Sequence, residues 1–73
     1  MSEFTEVAIK ETVRDIDSDI YELFRKAKAL DNVILRRHMR GKSIDEERQK
    51  MADCLQRIAK LKALRKRTSA LLG

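Results

Sequence analysis

The sequence predicts an all-α fold, an antiparallel two-helix hairpin that associates with itself into a helical bundle. Three observations lead to this prediction. Apolar residues recur at alternating spacings of four and three through the first half of the chain, a turn signal follows at Gly41, and the 73 residues include no proline. Because proline and glycine interrupt helices, a chain with no proline and two glycines can form long ones.

The first helix is predicted over residues 4–40. Its apolar stripe repeats every seven residues with two positions per repeat, which is the pattern of a coiled-coil seam. A single helix cannot bury so narrow a stripe, so other helices must pack against it. Tyr21, Phe24, Val33 and Leu35 lie beside the stripe and widen the apolar face, as a bundle requires. The stripe consists of Ile9, Val13, Ile16, Ile20, Leu23, Ala27, Leu30 and Ile34.

The turn is predicted over residues 41–43. Gly41 can adopt the left-handed backbone conformation that ends a helix. Ser43 and Glu46 have the spacing of a capping box, in which the Ser43 side chain caps the second helix and Glu46 reaches back to it. Helices joined by so few residues pack as antiparallel neighbours, so residues 1–73 are expected to form one hairpin domain.

The second helix is predicted over residues 44–71. Its apolar positions are less regular than those of the first helix, and Arg57 and Arg65 border or interrupt them. This helix is also the shorter one, so we expect the N-terminal turns of the first helix to need cover from elsewhere. The apolar positions are Met51, Cys54, Leu55, Ile58, Leu61, Leu64, Leu71 and Leu72.

The composition indicates a small chain that needs association to build a core. A chain of 73 residues is marginal without disulfides, a metal or a partner, and the single Cys54 cannot form an intrachain disulfide. A lone thiol fits a reducing compartment. The first residues lack the basic and apolar segments of a secretory signal, and no stretch is apolar enough to cross a bilayer. We therefore expect a cytoplasmic protein that does not act at a membrane.

No group of residues predicts an active site, a metal site or a cofactor site. Asp15, Asp17 and Asp19 have the spacing that begins a calcium loop, but Ile20 and Lys26 stand where the loop requires glycine and glutamate. One histidine and one cysteine are too few for a zinc site. Two helices with few aromatic residues offer little concavity for a substrate. We therefore expect no enzymatic activity, no cofactor and no small-molecule substrate.

Charge is unevenly distributed along the chain. Residues 1–35 carry five Lys or Arg and eight Asp or Glu, a net charge of −3, whereas residues 36–73 carry twelve and four, a net charge of +8. Such a basic surface attracts phosphate backbones through counterion release, although no aromatic residue follows Phe24 to stack on unpaired bases. The same charges could instead be solvated or pair with the acidic first helix of a neighbour. The candidate phosphate contacts are Arg36, Arg37, Arg40, Arg57, Lys60, Arg65 and Arg67.

Two functions remain open at this point. The first is a non-catalytic interaction protein, an adaptor, assembly factor, co-chaperone or small regulator, that packs helix against helix as a homodimer or with a helical protein partner. The alternative is a nucleic-acid-binding regulator or ribonucleoprotein component that uses the basic second half of the chain. The interface predicted for the first function consists of Ile9, Val13, Ile16, Ile20, Leu23, Phe24, Ala27, Leu30, Val33 and Ile34.

Two short segments resemble parts of known helical hairpins. Gly41 followed by Ile58-Ala59-Lys60-Leu61-Lys62 resembles the second helix of a small two-helix ribosomal protein of the large subunit. Met39-Arg40-Gly41 between two amphipathic helices is similar in layout to the small co-chaperones of type III secretion needle subunits. Both resemblances imply a helical hairpin, and neither assigns a role to a residue.

Overall fold

The protein is a hairpin of two long helices that form a narrow rod. The computed structural model describes residues 2–73, with α1 at Glu3–Met39 and α2 at Asp45–Ala70. The rod measures 58 × 14 × 13 Å. Arg37 at the end of α1 contacts Glu47 at the start of α2, and Asp17 in the first half of α1 contacts Arg65 near the end of α2, so the helices run antiparallel. The predicted all-α helical hairpin is confirmed.

Both ends of α1 are closed by local hydrogen bonds. At its start, the Ser2 side chain accepts a hydrogen bond from the backbone N–H of Thr5, at 3.2 Å. At its end, Gly41 has a φ of 69° and donates its N–H to the His38 carbonyl, while Lys42 donates to the Arg37 carbonyl. These two bonds form a Schellman motif, which confirms the role predicted for Gly41.

The capping box predicted at Ser43 and Glu46 is wrong. Helix α2 begins one residue later than that box requires, with Ile44 at the N-cap position and no side-chain hydrogen bond to the helix. The Ser43 carbonyl accepts a hydrogen bond from Arg37 Nε of α1, at 3.3 Å, and the side chain of Ile44 is half-buried. The Ser43 hydroxyl therefore does not cap α2, and Ser43 is joined to α1 through its carbonyl instead.

A thin apolar core runs between the two helices. Its centre is a cluster of Ile16, Ile20 and Ile58, against which Leu23 and Leu61 pack. The eight residues of the predicted stripe are all buried or half-buried, although α1 presents them to α2 alone. Among the described residues no side chain is completely buried. A single hairpin therefore covers the stripe only partly, because one neighbouring helix shields one side of it.

Candidate interaction surfaces

The residues predicted as a protein interface lie mostly inside the hairpin. Four of the ten are buried, and five are half-buried. Phe24 is the exception, with 46% of its surface exposed. The structure therefore gathers most of this set into the contact between α1 and α2, so an apolar surface for a partner must come largely from other residues. The buried members are Ile9, Ile16, Ile20 and Ala27, and the half-buried ones are Val13, Leu23, Leu30, Val33 and Ile34.

Phe24 lies at one edge of the contact between the helices and is covered by a lysine. Lys62 Nζ of α2 stands 5.2 Å from the centroid of the Phe24 ring. A cation over an aromatic face at an exposed position contributes about 0.5–1 kcal/mol. The lysine shields one face of the ring while the rest of the ring remains accessible.

Large apolar side chains remain exposed on α1 away from the core. Five of them, besides Phe24, have exposed fractions between 48% and 88%. Tyr21 and Phe24 also line a shallow surface depression together with Arg25, Lys28 and Asn32. Sequence reasoning placed Tyr21 and Leu35 beside the stripe, but it did not identify Phe4 and Val7. The three-residue spacing of Phe4 and Val7 places both side chains on one face of the helix, and it was the signal in the sequence that could have identified them. The five residues are Phe4, Val7, Tyr21, Leu35 and Met39.

The candidate phosphate contacts fall into two separate groups. Arg36, Arg37 and Arg40 lie at the turn, whereas the others lie at least twelve residues into α2, about 18 Å along its axis. Between them, the first turn of α2 carries the acidic residues Asp45, Glu46 and Glu47. The structure therefore does not bring the seven side chains together on one continuous basic surface.

Three of the seven candidate phosphate contacts are already engaged within the hairpin. Arg65 Nε donates to Asp17 Oδ1 at 2.5 Å. Arg37 Nε contacts the Ser43 carbonyl and also lies 3.5 Å from Glu47 Oε1. Arg36 Nε donates to the Asn32 carbonyl at 3.4 Å. These contacts lie across the hairpin, at the turn and at the end of α1, and each arginine would have to give up its contact to meet a phosphate.

Arg57 and Lys60 share a groove between the helices with acidic side chains. The groove is lined on α1 by Asp19, Glu22 and Lys26, with Leu23 and Leu61 at its apolar floor. Among residues 2–73, no carboxylate lies within ion-pair distance of Arg57 or Lys60. The groove thus has both signs of charge, which weakens its attraction for a polyanion.

The described residues form neither a metal-binding group nor a membrane-spanning helix. Within residues 2–73, no three His, Cys, Asp or Glu side chains are grouped so that they could hold a metal ion. Neither described helix combines the length and apolar character that crossing a bilayer requires. Comparison of the chain with protein-family models, curated proteins and solved structures finds no significant match.

Proposed function

We propose that this chain is a non-catalytic helical interaction protein that acts in the cytoplasm by packing helix against helix. It associates as a homodimer and serves as an adaptor, assembly factor or small regulator. One observation carries the proposal. Among residues 2–73, ten large apolar side chains are exposed and five apolar residues are buried. A hairpin that exposes this many large apolar side chains gains stability when a partner covers them.

The size of the core supports this proposal. Domains of this length usually need disulfides, a metal or association to remain folded. The one cysteine of this chain is a free thiol. Packing a second set of helices against the exposed side chains would supply the missing apolar burial, because helices in bundles share their cores.

The proposal is tested by the concentration dependence of assembly and of stability. Sedimentation velocity of the full chain over a hundredfold range of concentration should show a dimer that dissociates on dilution. The melting temperature followed by circular dichroism should rise with concentration, because association stabilises the folded state by mass action. A monomer with the same melting temperature at every concentration would contradict the proposal.

A second candidate function is nucleic-acid binding by α2. No acidic residue follows Asp53, and Arg57, Lys60, Lys66 and Arg67 take part in none of the ion pairs among residues 2–73. Four such cations would neutralise phosphates and release counterions. An electrophoretic shift with duplex DNA and with RNA should then show affinity that falls steeply from about 50 mM to 200 mM salt.

A pair of variants separates this candidate from general charge attraction. The double change Arg57→Gln and Lys60→Gln should weaken binding and flatten its salt dependence, since two phosphate contacts are lost. The change Lys10→Gln, which removes an exposed cation from the acidic half of α1, serves as the control and should leave binding unchanged. A loss in the control of about half that in the double variant, in proportion to the charge removed, would indicate attraction to net charge alone, and no shift at the lower salt would exclude the function.

A further inference from the structure

Five of the six large exposed apolar residues of α1 are arranged about Tyr21 at nearly matching distances, and the sixth, Phe24, lies under Lys62 at the edge of the contact with α2. Val7 lies fourteen residues before Tyr21 and Leu35 lies fourteen residues after it. Phe4 precedes Tyr21 by seventeen residues and Met39 follows it by eighteen. All five are exposed, and none is used by the core. Helix α1 thus has one exposed apolar side chain near its centre and two near each end.

These residues lie along one face of α1. The stripe from Ile9 to Ile34, which repeats every seven residues, is buried or half-buried against α2 along its whole length. The orientation of α1 side chains relative to α2 therefore also repeats every seven residues. Positions separated by multiples of seven therefore keep the same orientation. Val7, Tyr21 and Leu35 form one such row, with Phe4 and Met39 three or four residues beyond its ends. We call these five residues the outer row of α1.

A row that is symmetric about its centre fits a second copy of itself. A two-fold contact pairs residue i of one copy with residue j of the other, and residue j with residue i. When two α1 helices pack antiparallel about Tyr21, Val7 meets Leu35 of the second copy, and Phe4 meets its Met39. Each of the five exposed side chains then has an apolar partner.

The charges of α1 favour the same orientation. Residues 3–20 contain six acidic and two basic residues, a net charge of −4, and residues 22–40 contain two acidic and six basic residues, a net charge of +4. Antiparallel packing places the acidic half of one copy against the basic half of the other. Parallel packing would place like charges together along both halves, at a cost in association free energy.

We propose that the outer row of α1 docks antiparallel on the outer row of a second copy, with the two-fold axis at Tyr21. This assignment rests on the proposed function and specifies its surface and orientation. The depression formed by Phe24, Arg25, Lys28 and Asn32 beside Tyr21 receives the Tyr21 ring of the second copy. Four helices then lie side by side, with the two α1 helices at the centre of the assembly.

Polar positions separate the apolar contacts and include one unfavourable pairing, which the two-fold axis repeats on either side of Tyr21. Arg14 and Lys28 belong to the same seven-residue row and come together between the copies. Glu11 and Asp15 of the first copy flank that place and offset the repulsion, and the long stems of both cations let their charges reach solvent. The two-fold contact therefore depends on its apolar centre and ends, whereas the charges specify its orientation.

Cysteine cross-linking tests the surface and the orientation together. In a Cys54→Ala background, Glu11→Cys and Asn32→Cys are made as separate proteins, so that all five residues of the outer row are retained. Antiparallel packing about Tyr21 puts residue 11 of one copy beside residue 32 of the other. It keeps the two copies of residue 11 about 30 Å apart, at about 1.5 Å per residue. Oxidation of a one-to-one mixture should therefore give the mixed disulfide, and oxidation of either protein alone should give none.

The other outcomes overturn the proposal in distinguishable ways. A disulfide formed by each variant with itself would show parallel packing. A dimer that yields no cross-link in the mixture would show that another face is used. In both cases sedimentation of the unmodified chain still shows a dimer, so the proposed function stands while the assigned surface is wrong. A chain that sediments as a monomer at every concentration overturns both.

Discussion

Asp17 and Arg65 are 48 positions apart in the chain, and their side chains are joined by a hydrogen bond of 2.5 Å across the hairpin. The contact connects the acidic half of α1 to the basic half of α2 and marks the register in which the helices lie. Both side chains are about half exposed. Water therefore weakens their attraction, and the pair indicates alignment more than it supplies stability.

Removal of this ion pair should have a small effect on stability. We expect Asp17→Asn and Arg65→Gln each to lower the free energy of unfolding by about 1 kcal/mol or less, because exposed pairs contribute little. Urea unfolding at one fixed protein concentration measures this loss, and a double-mutant cycle isolates the pair. The change Glu22→Gln, which removes an exposed partner of Arg25 within one helix, is the control and should cost even less. A loss of several kcal/mol would show that the pair contributes substantially to the stability of the hairpin.

Truncation at the centre of the core should be far more damaging. Only 4% of the Ile58 surface is exposed, and its side chain forms the core cluster with Ile16 and Ile20. We expect Ile58→Ala to cost about 2–5 kcal/mol, as other aliphatic truncations in cores do, and to reduce helicity measured by circular dichroism. Leu55→Ala is the matched control because Leu55 lies half exposed on the same helix, and its effect should be about 0.5 kcal/mol or less. Equal effects in the two variants would contradict the packing described here.

The turn should depend on the backbone freedom of Gly41. Its φ is 69°, and no atom lies within 4 Å of the place where a Cβ would stand. The cost of Gly41→Ala is therefore one of backbone conformation alone, about 1–2 kcal/mol by thermal or urea unfolding. Gly41→Asn should cost less, because asparagine tolerates the left-handed region better. If alanine is as stable as glycine, the Schellman turn is not maintained in solution.

Association should be sensitive to a charge at the centre of the outer row. Tyr21→Lys places two like charges at the proposed two-fold axis, so we expect the dissociation constant from sedimentation to rise at least tenfold. The control Leu55→Lys adds the same charge at an exposed apolar residue of α2 and should leave the dissociation constant nearly unchanged. Similar weakening by both variants would point to net charge, and no weakening by Tyr21→Lys would exclude the outer row as the interface.

Local patterns predicted the architecture where the interactions are local. The seven-residue stripe predicted which side of α1 is covered, and Gly41 predicted the end of the helix, because both signals act over one or two turns. The prediction for Ser43 was wrong because the carbonyl of Ser43 is bound by Arg37, six residues earlier, and the spacing of Ser43 and Glu46 carries no information about that contact.

The surfaces were harder to predict because they depend on the register between the helices. Spacing placed Phe24 beside the stripe, but its neighbour Lys62 is defined only when α2 is aligned against α1. The same alignment engages Arg65 with Asp17 and leaves Arg57 in a groove with Asp19. In the sequence, Arg57 and Arg65 belong to one basic segment. In the hairpin they have different neighbours, which the composition does not reveal.

Because α1 is longer than α2, hydrogen exchange at its uncovered N-terminal turns can show whether a second molecule is bound there. Helix α1 has 37 residues and α2 has 26, and every residue from Ser2 to Ala8 is exposed. Turns without tertiary contacts open and close readily, so their amide hydrogens exchange with solvent almost without protection. Slow deuterium uptake at residues 6–8 would thus signal that another molecule lies over that end, and rapid uptake would signal a hairpin on its own.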